Sequence, residues 1–155
     1  MNDDSYDLHF QQDGQTFNFR AAGVLQDQAH YLVCESGDPR ADLVFVGGKV
    51  KFGETSQQAI QREFFEECHI HVTIDRLLWV IENQLSAAPT FQQIMLVYLL
   101  QTTDSVPQFT NKHRKLVWRT FSELQQANFK PAVFKDVTEF PQTPQTWQNI
   151  TDKSK

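Results

Sequence analysis

Four acidic residues and one arginine stand at spacings suited to phosphate chemistry. From Gly48 to Ile70 the chain reads GKVKFGETSQQAIQREFFEECHI. Glu63, Glu66 and Glu67 follow an i, i+3, i+4 pattern, so a helix places them on one face. Like charges so placed repel by about 0.2–0.5 kcal/mol per pair, and a divalent cation offsets that cost directly. Magnesium takes hard oxygen ligands and is held by one or two carboxylates plus substrate phosphates; manganese is the alternative ion. Gly47 and Gly48 precede the helix, where glycine permits positive φ and close approach of backbone to a ligand. Lys49 and Lys51 lie in the same loop within reach of a phosphate, although surface lysines generally face solvent.

Gly48, Glu54, Arg62, Glu63, Phe64, Glu66, Glu67 and Ile70 together match the signature G-x5-E-x7-R-E-U-x-E-E-x-G-U, in which U is a bulky apolar residue. The segment therefore resembles the Nudix hydrolases (MutT-like). One position departs: His69 stands where that family has glycine. The resemblance implies Glu66 and Glu67 as principal metal ligands. It implies Glu63 as a third carboxylate that binds metal or handles the attacking water. Arg62 would orient these acids through its planar fork, and Glu54 would bind or orient from the loop, with Gly47 and Gly48 beside the substrate. Glu63 and Glu82, in IENQ at a strand end, are the candidate general bases. Related sequences often open the following strand with a His-Glu pair; Gln92-Gln93 stands there, and an amide takes no proton at neutral pH. At the family glycine a helix C-cap needs φ > 0, a region that histidine tolerates better than most residues. His69 is thus expected to shape the helix end. The i, i+2 spacing of His69 and His71 could suggest a metal pair, but satisfied or exposed histidines are the expectation.

These residues need a scaffold. Thr55 with Gln58 forms a capping-box pattern and predicts a helix over about Ser56–Cys68. Ala59, Ile60 and Phe64 form its core stripe. Strands are expected over Phe17–Gln26 and His30–Glu35 with a turn at Asp27-Gln28, then over Asp42–Val46. Ser36–Arg40 and Gly47–Glu54 read as loops. Val72–Gln84 and Phe91–Gln101 read as long strands flanking a loop with Ala87, Ala88 and Pro89, and Leu116–Trp118 as a last strand. Ser122 is expected to cap a helix through Ala127, and Pro131 to open another through about Val137. The polar tail from about Pro141 is expected to fray. Strands around one long helix give an α/β layered pattern. The resemblance implies a Nudix-like α/β/α sandwich around a mixed β-sheet.

At 155 residues the chain, 1–155, is expected to form one domain with a substantial core. Its net charge of −5 and lack of a basic run argue against a nucleic-acid polymer as partner. No stretch approaches about 18 consecutive apolar residues, so no membrane partner is expected. The acidic start MNDDSYDLHF does not read as a signal peptide. Cys34 and Cys68 are expected to stay reduced in a cytoplasmic protein. Phe45, Phe52, Trp79, Phe91 and Trp118 are candidates for a nucleobase platform, though aromatic residues at strand spacing usually build core.

The expected activity is magnesium-dependent hydrolysis of a pyrophosphate bond in a nucleoside diphosphate linked to another group. A nucleoside triphosphate, nucleotide sugar or dinucleotide fits that description. The partner is then a small-molecule nucleoside diphosphate derivative, with a homodimer open as an assembly state. Two alternatives stand beside it. One is a non-catalytic Nudix-like module that binds a nucleotide or metabolite. The other is a hydrolase of an isoprenoid or inositol polyphosphate.

Overall fold

The computed structural model describes residues 3–85 and 90–151. The expected loop residues Ala87, Ala88 and Pro89 lie outside these. The described strands are β1 (His9–Gln12), β2 (Gln15–Asp27), β3 (His30–Glu35), β4 (Leu43–Val44), β5 (Val46–Lys49), β6 (Thr73–Leu85), β7 (Phe91–Gln101), β8 (Leu116–Arg119), β9 (Phe129–Lys130) and β10 (Gln145–Thr151). The helices are α1 (Ser56–Cys68) and α2 (Phe121–Gln126), with short 3-10 turns at Asp4–Tyr6 and Val133–Asp136.

The strands join one mixed sheet in the order β10-β6-β7-β2-β3-β4-β9, with β1 and β5 on β2 and β8 on β3. β2 organises it. Its Thr16–Leu25 run lies parallel to β7, while its later half also pairs antiparallel with β5 and β3. Two apolar layers result. α1 covers one face, burying Ala59, Ile60 and Phe64 against Ala21, Leu25 and Leu100. α2 and the second 3-10 turn cover the other, with Leu124 and Phe134 against Val24, Trp79 and Val97. This is the α/β layered sandwich around a mixed sheet that the sequence pattern implies.

α1 spans the expected residues, Ser56–Cys68. The Thr55 side chain accepts from the Gln58 backbone N–H, and the Gln58 side chain accepts from the Thr55 N–H, so the capping box is complete. At the far end His69 adopts φ 58°, ψ 33° and donates its backbone N–H to Phe65 O. Its ring is exposed beside Phe65, and His71 pairs instead with Asp104. Histidine therefore fills a left-handed cap. His69→Gly relieves roughly 1–2 kcal/mol of strain and adds about 0.4–1 kcal/mol of unfolded-state entropy. Thermal melting is expected to shift upward by a few degrees at most, with activity within a few-fold. A steep loss of activity at unchanged stability would give His69 a chemical role instead.

Several elements differ from the sequence-based expectation. Asp42–Val46 is not one strand: β4 ends at Val44 and β5 begins at Val46. Gly47 and Gly48 lie within β5, not in a loop, and the positive-φ glycine of this stretch is Gly53 at φ 89°. Thr120, not Ser122, caps α2, through a second capping box with Glu123. After Pro131 comes a single 3-10 turn in place of a longer helix. In the tail, Gln145–Thr151 lies parallel to β6. Before β2, β1 forms a hairpin turned at Asp13-Gly14, both with positive φ.

Candidate active site

The acidic helix face is held by one guanidinium. All five N–H donors of Arg62 are engaged. Nε and Nη2 donate to the two carboxylate oxygens of Glu54 at 3.0 and 2.7 Å. Nη1 donates to Glu63 Oε1 at 2.9 Å and to Glu66 Oε2 at 3.3 Å. Nη2 also donates to the Lys49 carbonyl at 3.0 Å. Arg62 thereby ties α1 to the end of β5 and fixes three acids. Burial opposes its charge, but its hydrogen bonds to Glu54 and Glu63 outweigh burial and raise its pKa. Burial likewise opposes ionised Glu54; Arg62 and the Lys51 N–H prevail and lower its pKa.

The two glycines of β5 have separate reasons. A Cβ at Gly47 would sit 2.8 Å from Ala22 Cα and closer still to Ala21 O, so the adjacent β2 backbone excludes it. A Cβ at Gly48 would run into the Glu63 carboxylate. Glycine therefore serves close approach here, without positive φ, and Gly48 makes the space that Glu63 occupies. Lys51 is not free for phosphate: its ammonium donates to Asp7 at 2.7 Å and to the Asp3 carbonyl at 2.6 Å.

Glu66 and Glu67 differ from Glu63 in what is left unpaired. Glu66 Oε2 meets Arg62, but Glu66 Oε1 is buried with no hydrogen-bond partner. Such an orphan costs about 1–3 kcal/mol or more for a charged group. The pKa of Glu67 is pushed up to about 7, by burial first and then by the charge of Glu63; Lys112, Arg20 and Arg114 oppose the rise. The Lys112 ammonium stands 3.8 Å from Glu67 Oε1. Asn111 clasps the end of α1, donating its backbone N–H to Glu67 O and its side-chain amide to Glu66 O. Among the described residues no three ligand groups are already gathered around one point, because Arg62 draws Glu63 and Glu66 to itself. The donor set nevertheless fits a hard cation: an orphaned carboxylate oxygen, a second carboxylate whose charge is disfavoured by burial and by Glu63 and that a cation would stabilise, and a third beside it.

Glu67 opens onto a cleft of about 700 Å³ that also includes Arg20, Gly47, Phe45, Met95, Gln93 and Arg114. Arg20 was not expected here. It projects from β2, burial lowers its pKa against the pull of Glu63 and Glu67, and its guanidinium has no hydrogen bond among the described residues. The one hint in the sequence is a lone charge in the apolar run FNFRAAGVL. Cys34 also lines the cleft, where burial pushes its thiol up to about 11 and disfavours the nucleophilic thiolate.

Of the expected site residues Gly47 and Glu67 line this cleft, whereas Gly48, Glu54, Arg62, Glu63 and Glu66 lie behind Glu67 without lining it. Glu82 is exposed on β6, in a depression of about 120 Å³ that adjoins the cleft and shares Asn83, Gln84 and Gln93 with it. Of the candidate aromatic residues, Trp79 is core, Phe45 is mostly core but borders the cleft, and Phe91 borders it too. Phe52 is exposed against Phe10, and Trp118 packs on the α1-side core.

The NUDIX domain pattern matches residues 17–138. Similar solved structures include a MutT protein from Bacillus halodurans, at 17% identity and TM-score 0.64, covering 84% of this chain and 89% of that one. A NUDIX hydrolase from Nitrosomonas europaea aligns at 14% identity and TM-score 0.62, over 88% and 79% of the two chains. A MutT protein from Methanosarcina mazei aligns at 17% identity and TM-score 0.62, over 81% and 92%. No curated protein sequence matches the chain. The structural likenesses speak to the fold. The domain pattern spans most of the chain and includes the Arg62 cluster, and on that ground the chain belongs to the Nudix family of pyrophosphate-cleaving hydrolases.

Proposed function

We propose that the protein is a magnesium-dependent hydrolase of the phosphoanhydride bond in a nucleoside diphosphate linked to another group, with manganese able to substitute. The observation that carries this reading is the buried, unpartnered Glu66 Oε1 next to Glu67 and Glu63. Glu66 and Glu67 would hold the ion, with Glu63 as third carboxylate. When bound, the ion supplies charge neutralisation at phosphate oxygens and acidification of water.

The chain's own groups do the rest. Arg62 ties Glu63 through Oε1 and so leaves Oε2 to accept a proton from the attacking water. Glu63 and Glu82 are the two candidates for the base role, and the Arg62 bonds that fix Glu63 beside Glu66 favour Glu63. Arg20 and Arg114 line the cleft beside Glu67 and carry positive charge to the phosphates. Glu54 holds the far side of Arg62, so its contribution is positional.

The test is phosphate or diphosphate release across nucleoside triphosphates, nucleotide sugars, dinucleotides, isoprenoid diphosphates and inositol polyphosphates, each with magnesium and with EDTA. Magnesium-dependent turnover confined to the nucleotide compounds is expected. Turnover confined to the last two groups would overturn the substrate class, and none at all would overturn the activity. Magnesium should also raise the melting temperature reversibly. A ligand at a hundredfold excess over its dissociation constant stabilises the native state by about 2.7 kcal/mol, roughly 5–10 °C for a chain this size. A melting curve blind to magnesium, with or without nucleotide, would remove the metal from the account.

A further inference from the structure

The last four carbonyls of an α-helix have no partner within it. In α1 two of these belong to Glu66 and Glu67, and the final turn holds no basic side chain. The His69 N–H takes the Phe65 carbonyl. Glu66 O and Glu67 O both accept from one residue outside the helix. The Asn111 side-chain amide donates to Glu66 O at 3.0 Å, and the Asn111 backbone N–H donates to Glu67 O at 2.8 Å. Asn111 stands on a turn that closes on itself. Thr110 is 6% exposed and donates its N–H to Arg114 O at 2.8 Å, while its carbonyl accepts from the His113 N–H at 2.9 Å. Thr110 Oγ1 accepts from the backbone N–H groups of Lys112 at 3.3 Å and Arg114 at 3.2 Å. His113, left-handed at φ 63°, completes the turn. Lys112 of this turn reaches to 3.8 Å from Glu67 Oε1, and Arg114 lines the cleft.

We infer that the 110–114 turn is a clasp that sets the ion-holding end of α1, with Asn111 as its positioning residue. The inference rests on the proposed hydrolysis and assigns a role in it to a residue outside the cleft. Arg62 bonds to Glu63 and to one oxygen of Glu66, and it makes no bond to Glu67 among the described residues. The direction of Glu67 therefore depends on the backbone of the last helical turn. Helix ends fray, and the like charges of Glu63, Glu66 and Glu67 push this one apart. Two hydrogen bonds from a turn that is already closed oppose both effects. Magnesium demands near-ideal octahedral geometry, so fraying at Glu66 and Glu67 would weaken its hold directly. Groups that orient metal ligands without touching the ion govern affinity in this way.

Asn111 is exposed, so Asn111→Ala removes the bond to Glu66 O without opening the core, and the backbone N–H to Glu67 O remains. Thr120→Ala is the control for lost stability, because it removes the N-cap bond of α2, away from the acids. Manganese binding, followed by electron paramagnetic resonance, is expected to weaken about tenfold in Asn111→Ala and to keep its wild-type strength in Thr120→Ala. Asn111→Gln, which retains the amide, should recover part of the loss. The magnesium concentration that half-saturates turnover should rise by the same factor in Asn111→Ala, while kcat at saturating magnesium changes little. Hydrogen exchange in EDTA tests the clasp without the ion. In Asn111→Ala the backbone amides of Glu67, Cys68 and His69 should exchange several-fold faster, while those of Ile60 and Phe64 keep their wild-type rates. The inference is overturned if exchange at the helix end is unchanged, or if Thr120→Ala loses as much manganese affinity as Asn111→Ala. Equal manganese affinity in Asn111→Ala and the wild type would overturn the clasp and leave the hydrolase reading standing. Faster exchange in Asn111→Ala, with no manganese binding by the wild type, would uphold the clasp on the helix end and overturn the ion reading.

Discussion

Glu67→Gln is expected to cut hydrolysis by on the order of 10²–10³-fold or more, because the metal's charge stabilisation amounts to several kcal/mol. The same change should stabilise the metal-free protein at alkaline pH. The pKa of Glu67 is raised to about 7 by burial and by Glu63. Between its ordinary value near 4.5 and 7, the folded protein keeps a proton that the unfolded chain has released. The group's contribution to stability is therefore full at low pH and is lost as pH rises through 7. Glutamine stays neutral and escapes that loss. The variant should exceed the wild type by about 1–3 kcal/mol at pH 8, and the two should converge near pH 4.5. Denaturant titrations of both proteins in EDTA across this range measure the difference. A gap that widens toward low pH would contradict the assigned environment of Glu67. Near-normal turnover would contradict its role toward the metal.

Arg62→Ala is expected to have the largest effect on the fold. It removes five hydrogen bonds at once, four to carboxylates and one to the Lys49 carbonyl. Glu54, Glu63 and Glu66 side chains are only 13–20% exposed, so they would be left as poorly hydrated charges. Removing one partner of a buried ion pair costs about 3–5 kcal/mol. The low end applies here, because the acids can take up protons and keep some solvent contact. A loss of about 3 kcal/mol lowers the melting temperature by roughly 10 °C, and activity should fall with it. Arg62→Lys should recover less than half, because an ammonium cannot span the fork to Glu54 and still reach Glu63. Full recovery by lysine would show that charge alone, and not the planar geometry, organises the site.

The helix that carries the acids was almost wholly legible. Thr55 and Gln58 cap it, Ala59, Ile60 and Phe64 bury it, and His69 closes it in the left-handed region. These signals are local, and each acts within four or five residues along the chain. Glycine at 47 and 48 suggests positive φ from sequence, whereas the β2 backbone and the Glu63 carboxylate account for it. Those neighbours lie well apart in sequence and become adjacent through the β2–β5 pairing and the packing of α1 on it. The same limit hid Arg20 and Arg114, which reach the cleft from β2 and from the stretch before β8. It also hid the alignment of Asn18, Gln93 and Asn83, which exists only once β7 lies between β2 and β6. β10 is hard to read from sequence because its polar residues give a weak strand signal and its partner residues on β6 lie 66 positions earlier (145 − 79).

The most direct test of the central claim is equilibrium binding of manganese, followed by electron paramagnetic resonance, in wild type and Glu67→Gln. One site per chain that magnesium displaces is expected in the wild type. In the variant that site should weaken by at least tenfold while the circular dichroism spectrum stays unchanged. Equal manganese affinity in the two proteins would mean that the Glu63, Glu66 and Glu67 face of α1 does not hold the ion, and the proposed chemistry would have to be placed elsewhere.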